Sequence, residues 1–242
     1  MFVSRHDEAV TTTARVPQEE RTRAMRLRLL EATVECIVER GYSGTSTTLV
    51  SERAGVSRGA QLHHFPTKID LVVAAVEHVT QIRGAELREK IADLAESSDE
   101  TAPSTSERIT RLRRTLHLLG EHFTSPVFTA ALELWVAART DEALLAAVQP
   151  LEARVGREAH RLTVAALGAD ESRPGVRELV QATLDLVRGL GLANSISDDA
   201  GRRRRILDHW ADVLDRELDS PHDVPDLLRS APPIDNAAGT PT

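Results

Sequence analysis

Residues 45–68 read TSTTLVSERAGVSRGAQLHHFPTK, and this run decides the fold. Gly55 can take the left-handed conformation that ends a helix. Val56 then supplies an apolar plug for the angle between two helices, and the Ser57 hydroxyl can accept from the free amides of the next one. The hydroxyls of Thr45, Ser46, Thr47 and Thr48 offer start signals for a short helix ending near Ala54. A second short helix runs from Arg58 to about Phe65, where Pro66 stops it. Two short helices joined by Ala54-Gly55-Val56-Ser57 have the spacing of a helix-turn-helix. Capping leaves the front end of the second helix free to approach a groove lined with phosphates.

Upstream, Leu27, Leu30, Val34, Ile37 and Val38 repeat at helical spacing and Gly41 stops them. Cys36 within that helix reads as a small core-edge residue. Downstream, Thr67 caps a helix of about 28 residues and about 42 Å, long enough to join two domains. Residues 97–105 read as a loop, followed by a Ser104/Glu107 capping box. Val127 to Ala138 is apolar nearly all round and predicts a buried central helix. The next helix starts at Thr140 or Asp141, with a kink expected at Pro150. Two late stripes, 175–194 and 202–218, have broad apolar faces that can complete a core or pair with a second copy. Gly189 marks a point of close packing, between subunits among the options. Arg202 to Arg205 read as a solvated face. The chain divides into an arm (1–16), a helix-turn-helix domain (17–67), a helical domain (68–218) and an unstructured tail (219–242).

The composition narrows the function. The 242 residues are 41% hydrophobic and 28% charged, enough apolar content for a packed core. A single cysteine excludes an intramolecular disulfide framework and a cysteine zinc cluster. No apolar run is long enough for a membrane, and no signal-peptide core leads the chain. The expected location is cytoplasmic. The net charge of -7 hides an asymmetry. From Arg15 to Lys68 nine basic side chains face six acidic ones, whereas from Ile69 onward twenty face twenty-nine. The small first module tolerates phosphate; the large acidic one does not.

Ala54-Gly55-Val56-Ser57, Gly59, Phe65-Pro66 and Lys68, with Gly41-Tyr42 before them, resemble the DNA-binding domain of tetracycline-repressor (TetR) family regulators over about residues 20–80. The resemblance implies an all-α protein: a three-helix reading domain followed by a ligand-binding and dimerisation domain. It implies an operator in double-stranded DNA, a homodimer and a small-molecule effector; no metal or cofactor is expected. Residues 58–64 are then expected in the major groove and Lys68 against phosphate. The DNA-contacting set is Thr47, Ser57, Arg58, Gly59, Gln61, His63, His64 and Lys68. Where the family often carries Leu-Tyr this chain has Gln61-Leu62. Leu62 cannot donate to the DNA backbone, and Gln61 could read adenine if it points outward. His63-His64 project about 100° apart and do not make a chelating pair.

Farther along, Glu133 interrupts the most apolar helix, so its carboxylate needs either an arginine partner or a ligand. The expected ligand is mostly apolar with one polar or acidic group. Its expected lining is Leu116, Phe123, Leu132, Trp135 and Leu162, with His117, Glu133 or Arg139 as the polar handle. The alternatives are a regulator without an effector, marked by a tightly packed second domain, and an all-helical enzyme using His117, Glu121 or Glu133. The enzyme reading finds no nucleophile–base motif, phosphate loop or metal-ligand spacing.

Overall fold

The computed structural model describes residues 18–96 and 105–219, and every element among them is helical. The expected arm (1–16), the loop with Ser104, and the tail beyond Asp219 lie outside the described residues. The helices are α1 (Gln18–Gly44), α2 (Thr47–Ala54), α3 (Arg58–His64), α4 (Lys68–Glu96), α5 (Thr105–Phe123), α6 (Pro126–Ala138), α7 (Glu142–Leu167), α8 (Val176–Asn194) and α9 (Ala200–Asp219).

Local chemistry places the ends. Ser46, among the four candidate hydroxyls, caps α2 by accepting from Leu49 N at 3.2 Å. Gly55 sits at φ 61° and closes α2, and Ser57 Oγ accepts from Ala60 N at 3.3 Å to open α3. Thr67 and Asp70 cap α4 reciprocally: Thr67 Oγ1 accepts from Asp70 N, and the Asp70 carboxylate accepts from Thr67 N, both at 3.1 Å. Asp141 opens α7 through Leu144 N at 3.0 Å, and α7 runs through Pro150 to Gly168 at φ 61°. Gly41, at φ 69°, interrupts α1 where the sequence stops it, and one more helical turn follows.

Three apolar clusters hold these helices. Leu29, Leu30, Cys36, Val50, Val56 and Phe65 of α1–α3 and their connecting turns pack with Leu71 and Ala75, so the first turns of α4 belong to the core of the reading unit. Burial pushes the Cys36 thiol pKa up, as suits a core residue. Ile37 of α1 meets Val72 and Val76 of α4, Leu134 of α6 and Leu144 of α7 in a second cluster that joins the two ends of the molecule. The third fills the bundle of α5, α8 and α9 around Leu116, Leu119, Phe123, Val187, Leu207 and Leu214.

Two glycines allow close approach there. A Cβ on Gly120 would meet Leu207 at 2.8 Å, and one on Gly191 would lie 2.1 Å from the Phe123 carbonyl oxygen. Gly191 is therefore the close-packing position within the chain; Gly189 has no neighbour there within 4 Å. α6 is less enclosed than its sequence suggests. Val127, Phe128, Ala130, Leu134 and Ala138 are buried, but Val136 is 57% exposed. The arginine run at the start of α9 is mostly solvated, with Arg203 Nη1 bonded to Asn194 Oδ1 at 2.8 Å.

Candidate functional site

The turn and the caps present α3 with Ser57, Arg58, Gly59, Leu62 and His63 exposed and His64 half-buried. The front of this helix is bare and carries a guanidinium, which suits a groove between phosphates. Thr47, at the first position of α2, is half-buried, and its carbonyl accepts the Ser51 hydroxyl at 2.8 Å.

Of the side chains expected on DNA, Gln61 is held inside and Lys68 is tied to a backbone carbonyl. Gln61 is 0% exposed, and its Nε2 donates to the Phe65 carbonyl at 2.7 Å. It closes the C-terminal end of α3, where the last carbonyls have no helical partner. Its Oε1 is buried without a partner. Lys68 is half-buried; its Nζ donates to the Tyr42 carbonyl at 2.7 Å and lies 4.0 Å from the centroid of the Tyr42 ring. Burial lowers the Lys68 pKa, and the nearby Asp141 carboxylate opposes that fall.

Tyr42 is thus held from two sides. The Glu133 carboxylate accepts from Tyr42 N at 3.4 Å and stands where a Cβ on Gly41 would meet Oε2 at 2.8 Å. Among the described residues Glu133 has no arginine partner, and it does not line the cavity behind the reading unit. It ties α6 to the end of α1, while Lys68 ties α4 to the same residue.

Behind the reading unit a cavity of about 400 Å³ lies among α4, α5, α7 and α8. Such a volume is at the small end of ligand sites, which run roughly 300–1,000 Å³. Its apolar wall includes Leu87, Leu119, Phe123, Leu151, Leu162 and Leu184, and Thr80, Gln81 and His122 add polar atoms. Burial, with the charge of Arg83 behind it, holds the His122 pKa below its ordinary value.

Of the expected lining only Phe123 and Leu162 face this cavity. Leu116 is fully buried in the bundle core. His117 Nε2 pairs with Asp208 of α9 at 2.8 Å, one rung of a ladder that includes Arg113–Asp212 and Arg108–Asp215. Leu132 is half-buried on α6 and outside the lining, and Arg139 is the exposed C-cap of α6. Trp135 packs edge-on against Phe128, and burial raises the pKa of the Glu152 carboxyl.

The residues that sequence reading missed are the charged ones at the mouth: Glu77 and Arg88 on α4, and Arg154, Arg157, Glu158 and Arg161 on α7. Their signal was present as a helical stripe on α4 (77, 80, 81, 84, 88) that is polar and small rather than apolar. Among the described residues no group of three or more His, Cys, Asp or Glu side chains could hold a metal.

The arrangement has known counterparts. Residues 29–75 match the family model for bacterial regulatory proteins of the tetR family. The HTH-type transcriptional regulator CymR of Pseudomonas putida is 29% identical over 190 residues, covering 78% of this chain and 88% of that one. The HTH-type transcriptional regulator Mb2936c of Mycobacterium bovis is 30% identical over 194 residues, covering 80% and 89%. A crystal structure from Pseudomonas aeruginosa PAO1, assigned as a transcriptional regulator, shares the fold with a TM-score of 0.59 at 24% identity. That match covers 86% of this chain and 98% of the other.

Proposed function

The chain belongs to the tetR family of bacterial regulatory proteins, and from that premise we propose that it is a homodimeric repressor, released from its operator when a small, mostly apolar molecule fills the cavity. It is a DNA-binding transcriptional regulator, and the relatives above are named as regulators, not enzymes. Residues 17–67 form the reading domain, and residues 68–218 sense and dimerise. Among the described residues no helix is long and apolar enough to cross a membrane. The regulator works in the cytoplasm, where its operator is.

One observation carries this reading. A single helix, α4, begins in the core of the reading unit with Leu71 and Ala75, then forms a wall of the cavity with Thr80, Gly84 and Leu87. Filling the cavity displaces α4, and α4 cannot move without moving Lys68 and the Tyr42 peptide it holds. A ligand that favours one spacing of the two reading heads thereby changes the fit to DNA.

Dimerisation is supported by the outer face of α8 and α9. Leu186, Ile206 and Trp210 lie there half-buried around a shallow depression, and Leu192 and Ile196 nearby are 51% and 89% exposed. Two copies also answer the reading problem, since one short helix reads too few base pairs for useful specificity.

Selection of bound duplexes from a random library tests the reading. The full chain is expected to enrich a palindrome with half-sites about one helical turn, or a multiple of it, apart. Light scattering is expected to give twice the chain mass of 26.5 kDa. A monomer at micromolar concentration, or enrichment without symmetric half-sites, would refute the dimeric reader.

A further inference from the structure

The mouth of the cavity is a slot between α4 and α7, and ion pairs cross it at both ends. Arg154 Nη2 on α7 lies 2.6 Å from Glu77 Oε1 on α4. Arg88 Nη1 on α4 lies 2.8 Å from Glu158 Oε1 on α7, and Arg161 takes the other oxygen of Glu158. Between the two clasps stands Gly84, where a Cβ would meet only Arg88 Nη1 at 3.8 Å. A glycine inside a helix is a destabilising choice, and here it leaves the slot open.

The charges of the lining are unequal. Four arginines stand against two glutamates, and both glutamates are already paired. Arg157 forms no ion pair among the described residues. A cationic ligand would find no unpaired carboxylate in this lining. Phe123 is the one aromatic ring besides the His122 imidazole, too little for a cation cage. Guanidinium groups suit the planar, two-oxygen geometry of a carboxylate, and a one-sign surplus at a low-dielectric mouth concentrates counter-ions. The clasps are about half exposed, so exchanging one carboxylate for another costs little.

We infer that the effector is an apolar monocarboxylate, and that its carboxylate takes Arg154 from Glu77, so that recognising the ligand and untying α4 from α7 are one event. The inference rests on the cavity being the effector site. The hydrocarbon body lies on Leu119, Phe123, Leu162 and Leu184, and the carboxylate stays at the rim beside Arg154 and Arg157. Glu77, released, no longer holds α4 to α7. Recognition by charge is thereby coupled to the helix that leads back to the reading unit.

Calorimetric titration of the full chain with octanoate, octan-1-ol and octylamine tests this, with Gly84→Leu as the blocked slot; leucine at that place favours the helix. Octanoate is expected to bind about tenfold or more tighter than octanol, with a gain that shrinks as salt rises, and octylamine weakest. Arg154→Gln should bring octanoate down to the level of octanol. Glu77→Gln, which removes the competing carboxylate, should tighten octanoate several-fold and leave octanol unchanged, a gain that a purely structural ion pair would not produce. Gly84→Leu should abolish all three. If octanol or octylamine binds as tightly as octanoate and Gly84→Leu still blocks, the carboxylate inference is overturned and the cavity reading stands. A Glu77→Gln variant that binds octanoate no better overturns the proposed exchange in the same way. If none of the three binds, or Gly84→Leu leaves binding unchanged, the cavity reading falls as well.

Discussion

The reading unit and the mouth of the cavity employ their polar side chains in opposite ways. Around α3, Gln61 and Lys68 are each bound to a backbone carbonyl, and Glu133 reaches across from α6 to a backbone amide. Around the slot between α4 and α7, charged side chains bind one another across the gap. The first kind of contact adds side-chain partners to peptide groups at the ends of helices. The second joins two half-exposed surfaces that water would satisfy nearly as well. So Gln61, Lys68 and Glu133 hold backbone groups in place, while the charged side chains at the mouth hold only one another.

The comparison is broken or sharpened most strongly at Gln61. Gln61→Ala removes a buried side chain and its bond to Phe65, and should cost about 2 kcal/mol in denaturant unfolding. Gln61→Leu keeps the volume and also removes a buried unpartnered Oε1, so most of that stability should return. Gln61→Ala should weaken binding to all duplexes alike. Arg58→Ala, at an exposed position, should leave stability unchanged and shift preference at one base-pair position by roughly 1–3 kcal/mol if its contact is bidentate. A change of base preference in Gln61→Leu with unaltered stability would contradict the buried placement.

Lys68 gives the next effect. Lys68→Met loses a charged hydrogen bond and a cation–π contact, together about 1–2 kcal/mol of stability. The slope of log affinity against log salt should not change. A slope reduced by about one counterion would instead assign Lys68 to a phosphate.

The smallest effect is expected at the mouth. Arg88→Gln removes a pair whose arginine is 47% exposed, and thermal or denaturant unfolding should shift by under about 1 kcal/mol. A loss as large as that of Gln61→Ala would mean that the clasps belong to the fold after all.

Much of this molecule is determined by short stretches of sequence. Ser46, Ser57, Thr67 and Asp141 act on amides three residues away, and Gly55 and Gly168 close helices through their own dihedral angles. Such contacts need no distant partner, so the helical class, the helix-turn-helix and the exposure of Ser57, Arg58 and Gly59 were legible at once. Cys36 as a core residue followed from the same periodicity.

Direction across elements was decided only by the tertiary structure. The fate of Gln61 depended on the Phe65 carbonyl, and those of Lys68 and Glu133 on Tyr42, 26 and 91 residues away in the chain. His117 was paired with Asp208 on α9, outside the lining of the cavity. The cavity formed along the polar, small stripe of α4, where Gly84 leaves room, and the apolar residues first expected to line it mostly packed against one another. The reason is physical: apolar surface closes on itself wherever shapes allow, so space remains where side chains are small or prefer water. Sequence periodicity records which faces are apolar; how those faces meet is settled when the helices pack.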